Sequence, residues 1–265
     1  MKLFDFNIHL PAFKKGVKDL VYSETISTNS DLINRCSFLS DTLSGGNFMI
    51  FNSNLFEENN KFIEYTNSNF DICSYTLLVN FRDKSIFKKL EKAIASGINF
   101  IKFHSYHQKI TPHDYNIIIK ICKFAEKNHI KICLDGSYGS SKMLKYDIID
   151  LICTISDEIT KAPIIVLHSG GIKCLEVMLL ALEKPNIFLE TSFTLPFYIG
   201  SSIEKDLAFV YNKIDSNKIL YGSDSPYVEF DDSFNKSYSF FKKWGLADKI
   251  EDIFYNNSIK LLNEI

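Results

Sequence analysis

The chain is expected to fold as a closed, parallel (β/α)8 barrel, the TIM-barrel architecture, over the whole of residues 1–265 as a single domain. Three observations predict it. Eight short apolar runs are spread along the chain, each is followed by a segment able to hold a helix, and five of the runs end in histidine or aspartate. Strand and helix signals that alternate throughout call for a parallel sheet with crossovers, and eight such units close into a barrel.

The expected strands are Leu3–His9, Phe48–Asn52, Ser74–Asn80, Asn99–His104, Lys131–Asp135, Ile164–His168, Ile187–Ser192 and Ile219–Asp224. In the first, strict alternation puts Asp5, Asn7 and His9 on one face and Phe4, Phe6 and Ile8 on the other. The Ser-Gly-Gly at 44–46 reads as a turn, and the helix between it and the first strand, within 10–47, is only weakly marked. Ser85–Ala95 is amphipathic, with Ser85 as its N-cap and Gly97 as its stop. Thr111-Pro112-His113-Asp114 supplies an N-cap, a first-turn proline and an acid. The apolar stripe Tyr115, Ile118, Ile119, Cys122 and Phe124-Ala125 follows. Cys174–Leu182 is a helix that stops before Pro185. No linker, low-complexity tract or internal repeat divides the chain.

Composition narrows the function classes. Hydrophobic residues make up 46% and charged residues 23%, ordinary values for a globular protein. A net charge of −2 offers no basic field, so neither nucleic acid nor an anionic membrane is an expected partner; a small-molecule substrate is. The start of the chain has no apolar signal core and no run is long enough to span a membrane, which predicts a cytoplasmic protein. In that compartment the six scattered cysteines read as small buried hydrophobes. The abundance of Phe (23) and Tyr (13) reads as genome composition bias, not as an aromatic ligand site.

The chemistry lies at the strand ends. His9, His168 and Asp224 each close an expected strand, so a barrel brings them to one rim, and imidazole and carboxylate are the usual ligands of Zn²⁺, Mn²⁺ or Fe²⁺. In His168-Ser169-Gly170-Gly171 the paired glycines allow a sharp turn and can offer backbone N–H groups to an anion. The run Phe193-Thr194-Leu195-Pro196-Phe197-Tyr198 after the seventh strand should overhang the rim. It reads either as an apolar wall for a small substrate or as a contact in a homodimer.

These segments resemble, in order, the motifs of the amidohydrolase superfamily, in the amidohydrolase-related branch of hydrolases and decarboxylases. Asp5-Phe6-Asn7-Ile8-His9 is similar to its first-strand Asp-x-His-x-His. Ile101-Lys102-Phe103-His104 with Gln108 is similar to its fourth-strand segment, and His168-Ser169-Gly170-Gly171 to its sixth-strand His-x-Gly-Gly. Gly222-Ser223-Asp224-Ser225-Pro226 is similar to the eighth-strand Gly-Thr-Asp-x-Pro, and Asn257 with Leu261-Leu262 to the closing helix.

The resemblance implies one divalent metal, Zn or Mn, with His9 and Asp224 as ligands and His168 as ligand or base beside an activated water. It puts His104 on the rim, either touching substrate or supporting a ligand from behind. Lys102 lies one step deeper, either towards substrate or in an internal ion pair with Asp5 or Glu190. Two departures shift the donor set: Asn7 stands where the family has its first histidine, and Asp135 where the fifth strand usually offers another. The ligand set becomes Asn7, His9, Asp135 and Asp224 with His168 nearby, richer in oxygen donors.

The leading expectation is therefore a metal-dependent hydrolase of a lactone, ester or amide C–N bond. His168, Asp224 and His104 are its catalytic residues, and Lys102, Gly170 and Gly171 bind the substrate. The alternatives are a decarboxylase of a small unsaturated or aromatic acid, and a barrel that works without metal or only binds a ligand. Decarboxylation favours a cationic clamp, for which only Arg82, of the two arginines Arg35 and Arg82, is well placed, with Lys102 or the Gly170–Gly171 amides as substitutes.

Overall fold

The structure, a computed structural model, describes residues 1–9, 42–51 and 61–263. Eight strands form one sheet whose spatial order is the order along the chain. They are β1 (Phe4–His9), β2 (Gly45–Ile50), β3 (Ile72–Leu78), β4 (Phe100–His104), β5 (Lys131–Asp135), β6 (Ile164–Leu167), β7 (Ile187–Glu190) and β8 (Ile219–Leu220). Each pairs with the next in parallel, which requires a crossover between them. The described helices are α1 (Lys61–Asn69), α2 (Ile86–Ala95), α3 (Tyr115–Lys127), α4 (Ile149–Glu158), α5 (Cys174–Glu183), α6 (Thr194–Tyr198), α7 (Ser202–Lys213), α8 (Phe230–Lys243) and α9 (Asn257–Asn263). This is the expected barrel.

Its seam is unusual, because β8 has only two residues and its ladder does not reach β1. Single contacts close it instead. The Phe6 N–H donates to the Tyr221 carbonyl (2.9 Å), the Asp224 N–H to the Asn7 carbonyl (3.0 Å) and the His9 N–H to the Ser225 carbonyl (2.7 Å). Asp5 reinforces the join: its carboxylate accepts the Ser223 N–H at 2.8 Å and the Ser223 hydroxyl at 2.5 Å. Burial pushes the Asp5 carboxyl up to about 7, against the pull of these hydrogen bonds.

Two layers of apolar packing hold the barrel. The larger lies between strands and helices and includes Ile8, Phe48, Ile118, Ile152, Val177 and Phe241. The smaller fills the barrel itself and includes Phe4, Phe6, Phe100, Cys133, Ile165, Leu167 and Leu220. Phe6 on β1 meets Phe100 on β4 edge to face at 5.2 Å, although the two strands are not neighbours. This corrects the strict alternation expected in β1. The register slips between Asp5 and Ile8, as at a β-bulge, so Phe4 and Phe6 join the inner cluster while Ile8 joins the outer one.

Gly45 and Gly46 open β2 and are not a turn. A Cβ on Gly45 would stand 2.4 Å from the Ile72 carbonyl oxygen, and one on Gly46 would stand 2.6 Å from Ile8 Cδ1. Glycine is needed there because β2 is squeezed between its neighbours, a contact that local sequence does not reveal. β4 and β5 end at His104 and Asp135 as expected, whereas β3 stops before Asn80, β6 before His168, β7 before Ser192 and β8 before Asp224. Asn52, the expected end of β2, and the weakly marked helix up to residue 41 lie outside the described residues.

The helices follow their sequence signals closely. Thr111 and Asp114 form a capping box ahead of α3, with the Thr111 N–H donating to Asp114 Oδ2 at 2.9 Å. The buried stripe of α3 is Ile118, Ile121, Cys122 and Ala125, so Ile121 replaces Ile119 on the inner face. Ser85 precedes α2 but does not cap it with its side chain; the Asp83 carboxylate accepts both the Ser85 N–H (2.8 Å) and its hydroxyl (2.7 Å).

Candidate active site

The C-terminal ends of the strands carry the polar residues. On β4, Lys102 and His104 stand two positions apart and therefore share a face, and His104 is the register partner of Asp135 on β5. Just past β6 the chain enters left-handed backbone at His168 (φ +61°) and Ser169 (φ +51°), and past β8 it does so at Asp224 (φ +62°). Such angles are uncommon outside glycine, and three of them gather at one end of the barrel. The turns re-aim His168 and Asp224 as the strands end.

The two groups of contacts that result are close to each other. His9 Nε2 lies 3.2 Å from Asp224 Oδ1. Asp135 Oδ2 lies 3.0 Å from Lys102 Nζ, 3.4 Å from His168 Nε2 and 3.5 Å from His104 Nε2. His168 Nδ1 faces the Ser192 carbonyl at 3.1 Å and the Ser192 hydroxyl at 3.0 Å. A carbonyl only accepts, so this contact places a proton on Nδ1. Among the described residues, His9, His104, Asp135, His168 and Asp224 share the walls of one cavity of about 100 Å³ with Tyr106, Ser137, Gly139, Phe193 and Tyr227. A wider groove of about 630 Å³ near Lys131, which opens β5, and Pro163, just before β6, holds none of these strand-end groups.

Their environments drive the titratable groups apart. Burial, Lys102 and His168 lower the affinity of His9 for a proton, outweighing Asp224. Burial, against Asp135 and with Lys102, pushes His104 down to about 3. Burial also opposes charge on His168, but Asp135 and Asp224 hold it up at about 9. Asp135 is itself held well below the usual carboxylate range, despite burial, by His104, Lys102 and His168. The cavity thus contains two neutral imidazoles, one imidazolium and an ionised aspartate.

Residues 141–263 match the family model described as amidohydrolase, a segment that carries the sixth- and eighth-strand motifs. Over that segment the chain is similar to the amidohydrolase family.

Solved structures share the barrel at low identity. A probable 2-pyrone-4,6-dicarboxylic acid hydrolase from Acinetobacter baumannii, with citric acid bound, is similar over 99% of both chains at 15% identity and a TM-score of 0.66. An uncharacterized TIM-barrel protein from Bordetella bronchiseptica is similar over 100% of this chain and 99% of its own, at 13% identity and a TM-score of 0.69. A 4-oxalomesaconate hydratase from Rhodopseudomonas palustris is similar over 99% and 96%, at 13% identity and a TM-score of 0.60. At such identities the likeness concerns the fold. No curated protein matches the sequence.

Amidohydrolases generally depend on a divalent metal. The donor set of this chain does not fit one. No group of three or more His, Cys, Asp or Glu among the described residues is arranged to hold a metal ion. Asn7 turns its amide NH₂ towards Ser192 Oγ (2.8 Å), Glu190 Oε2 (3.3 Å) and Asp224 Oδ1 (3.5 Å), so it offers protons where the family offers an imidazole lone pair. Beside Asp135 the Lys102 ammonium already stands at 3.0 Å.

Of the expected substrate-binding residues, none lines the cavity. Lys102 is fully buried and pairs with Asp135, not with Asp5 or Glu190. Gly170 and Gly171 have φ of +79° and +56°, and their missing side chains make room for Val177 and Tyr138, which brings the β6 loop against the β5 loop. The expected rim run after β7 is the short helix α6. Phe193 ahead of it lines the cavity and meets His168 edge to face at 6.0 Å, as an apolar wall should.

Sequence reasoning missed Glu190 and Ser192 as positioning groups. Glu190 is fully buried and accepts from the Ser192 N–H (2.5 Å), the Ser192 hydroxyl (2.8 Å) and the His168 N–H (3.2 Å). A carboxylate at the tip of β7, with a serine two residues on, was the signal available. Tyr227, three residues past Asp224, packs its ring edge to face on His9 at 4.9 Å and was also missed.

Proposed function

We propose that this protein is an enzyme of the amidohydrolase type that hydrolyses a small carbonyl compound, a lactone or ester, at the C-terminal rim of its barrel. The observation that carries the reading is that one cavity holds two imidazole–carboxylate pairs, His9–Asp224 and His168–Asp135, whose environments favour opposite protonation states. Groups separated in this way can serve as base and acid at the same pH.

The Asp224–His9 pair takes a proton from a water as its oxygen bonds to the substrate carbonyl carbon. The carbonyl π electrons move onto oxygen, where the His168 imidazolium stabilises the developing charge. When the intermediate collapses, the C–O bond to the leaving group breaks and the departing alkoxide takes the His168 proton. The proton held by the Asp224–His9 pair returns to His168 through solvent. His104, kept neutral, contacts the substrate from the wall. Asp135 and Ser192 fix the tilt of the His168 ring from its two nitrogens.

Two further points support an ester over the alternatives. A pyrone is a cyclic ester, and proteins named as pyrone-dicarboxylic acid hydrolases from Acinetobacter baumannii and Pseudomonas putida share this fold end to end. Arg82, the cation best placed to clamp a carboxylate for decarboxylation, is committed elsewhere: it donates to the Gln108 carbonyl (2.7 Å), the Lys109 carbonyl (3.3 Å) and Asp114 Oδ2 (2.8 Å).

The test is a pH-stat screen of small lactones and esters against the wild type, His168→Gln and Asp224→Asn. Turnover that both variants lose bears out the reading. Release of carbon dioxide from an unsaturated acid, with every ester left intact, would replace it with the decarboxylase.

A further inference from the structure

We propose that the Lys102 ammonium supplies the positive charge that a divalent ion supplies in the superfamily, and that this centre works without a metal. Lys102 leaves the middle of β4, where its side chain is fully buried, and reaches Asp135 Oδ2 at 3.0 Å. That one oxygen has three nitrogen-bearing groups within 3.5 Å, the other two being His168 and His104. An ion ligated by Asp135 on that side would have to occupy space that the ammonium fills, and would face it as a like charge in a poorly screened interior. The remaining candidate ligands face protein donors on at least one side, while Asn7 Oδ1 and His9 Nδ1 have no hydrogen-bond partner among the described residues. Asp224 meets His9 Nε2 at 3.2 Å and the Asn7 amide nitrogen at 3.5 Å, and Asn7 gives its other contacts to Ser192 and Glu190.

The replacements are mutually consistent. Asn at position 7 removes an imidazole ligand and adds N–H donors facing carboxylates. Asp at position 135 replaces an imidazole with the anion that Lys102 needs in order to be buried. A lysine placed here without Asp135 would be an uncompensated buried charge, so the two side chains form one device. Lys102 acts on the cavity through Asp135, which makes it a positioning residue whose charge fixes the ionised carboxylate between His168 and His104.

This inference rests on the hydrolase reading only for the use made of the charge; its test reads metal binding, which needs no substrate. Untagged wild type, purified without chelator, is dialysed against Zn²⁺ and separately against Mn²⁺, and its metal content and unfolding temperature are measured. The expected result is well under about 0.1 equivalent of either ion and no thermal shift, against about one equivalent for a mononuclear centre. Retention of about one equivalent, lost in Asp224→Ala, would overturn the proposal. In Lys102→Met the ammonium is gone while Asp135, His104, His168, His9 and Asp224 remain. That variant is expected to gain Zn²⁺ binding and a rise in unfolding temperature with the ion. A folded Lys102→Met protein that stays free of metal would show that the lysine is not what keeps the ion out. If Lys102→Met fails to fold, the wild-type dialysis decides alone. Absence of hydrolysis would count against the proposed reaction and leave both metal readouts unchanged.

Discussion

His9 Nε2 meets Asp224 Oδ1 at 3.2 Å across the seam where the last strand closes on the first. If the two act as one proton acceptor, His9→Ala and Asp224→Asn should each lower kcat/KM by about 10²–10⁴-fold. The double variant should be little worse than the poorer single one, because groups that work as a unit lose their effect together. Initial rates on the best ester of the screen decide this; additive losses would mean that the pair does not share a proton.

His168 makes a separate prediction about leaving groups. An imidazolium that protonates the departing alkoxide matters most when that alkoxide is a strong base. The His168→Gln variant should lose far more activity on an alkyl ester than on a nitrophenyl ester of the same acid. Equal losses on both would reduce His168 to a binding contact.

The tight entry of β2 sets a stability prediction. Gly45→Ala places a methyl group against the Ile72 carbonyl and the Phe4 ring, so it should destabilise the barrel by about 1–3 kcal/mol. Urea titration should show an earlier midpoint with an unchanged slope.

Acid sensitivity should trace partly to Glu204 on α7. Its carboxylate accepts from Lys243 Nζ (2.7 Å), the Gly200 N–H (2.7 Å) and the Trp244 indole N–H (3.0 Å). These contacts, Lys243 foremost, hold it down at about 2 from an ordinary 4.5. A depressed folded-state value contributes stability that is fully present above the unfolded value and is lost as pH falls towards the folded one. The stability gap between wild type and Glu204→Gln should therefore be greatest near neutrality and narrow from about pH 5 down to about pH 2 in urea melts.

Arg82 offers a control on the reaction class. Its side chain is 49% exposed and its partners are Asp114 and two carbonyls, so Arg82→Ala should change stability by only about 0–1 kcal/mol and leave ester hydrolysis intact. A large loss of activity would bring Arg82 into the site and revive decarboxylation.

Much of this molecule was legible in its sequence because strand ends are local signals. A histidine or aspartate after an apolar run announces a rim position, and His9, His104, Asp135, His168 and Asp224 do line one cavity. What escaped depended on partners distant in sequence. Lys102 was visible as a buried cation, but which of Asp5, Glu190 and Asp135 it meets is set by strand register, and alternation cannot give that. The slip in β1 was hidden for the same reason: Phe4, Asp5, Phe6, Asn7 and Ile8 alternate perfectly on paper, and only the register shift against β2, which parts Ile8 from Phe4 and Phe6, shows that they do not in space. Gly45 and Gly46 look like a turn until the strands on both sides are present.

The seam also ties chemistry to the completion of the chain. Its closing bonds join residues 5–9 to residues 221–225, so the first strand made waits for the last before its imidazole has a carboxylate to meet. A nascent barrel seven strands long could be compact and well packed and still have no water-activating pair. Catalytic competence would appear abruptly with the eighth strand, which makes turnover a stricter reporter of finished folding than helix content or compactness.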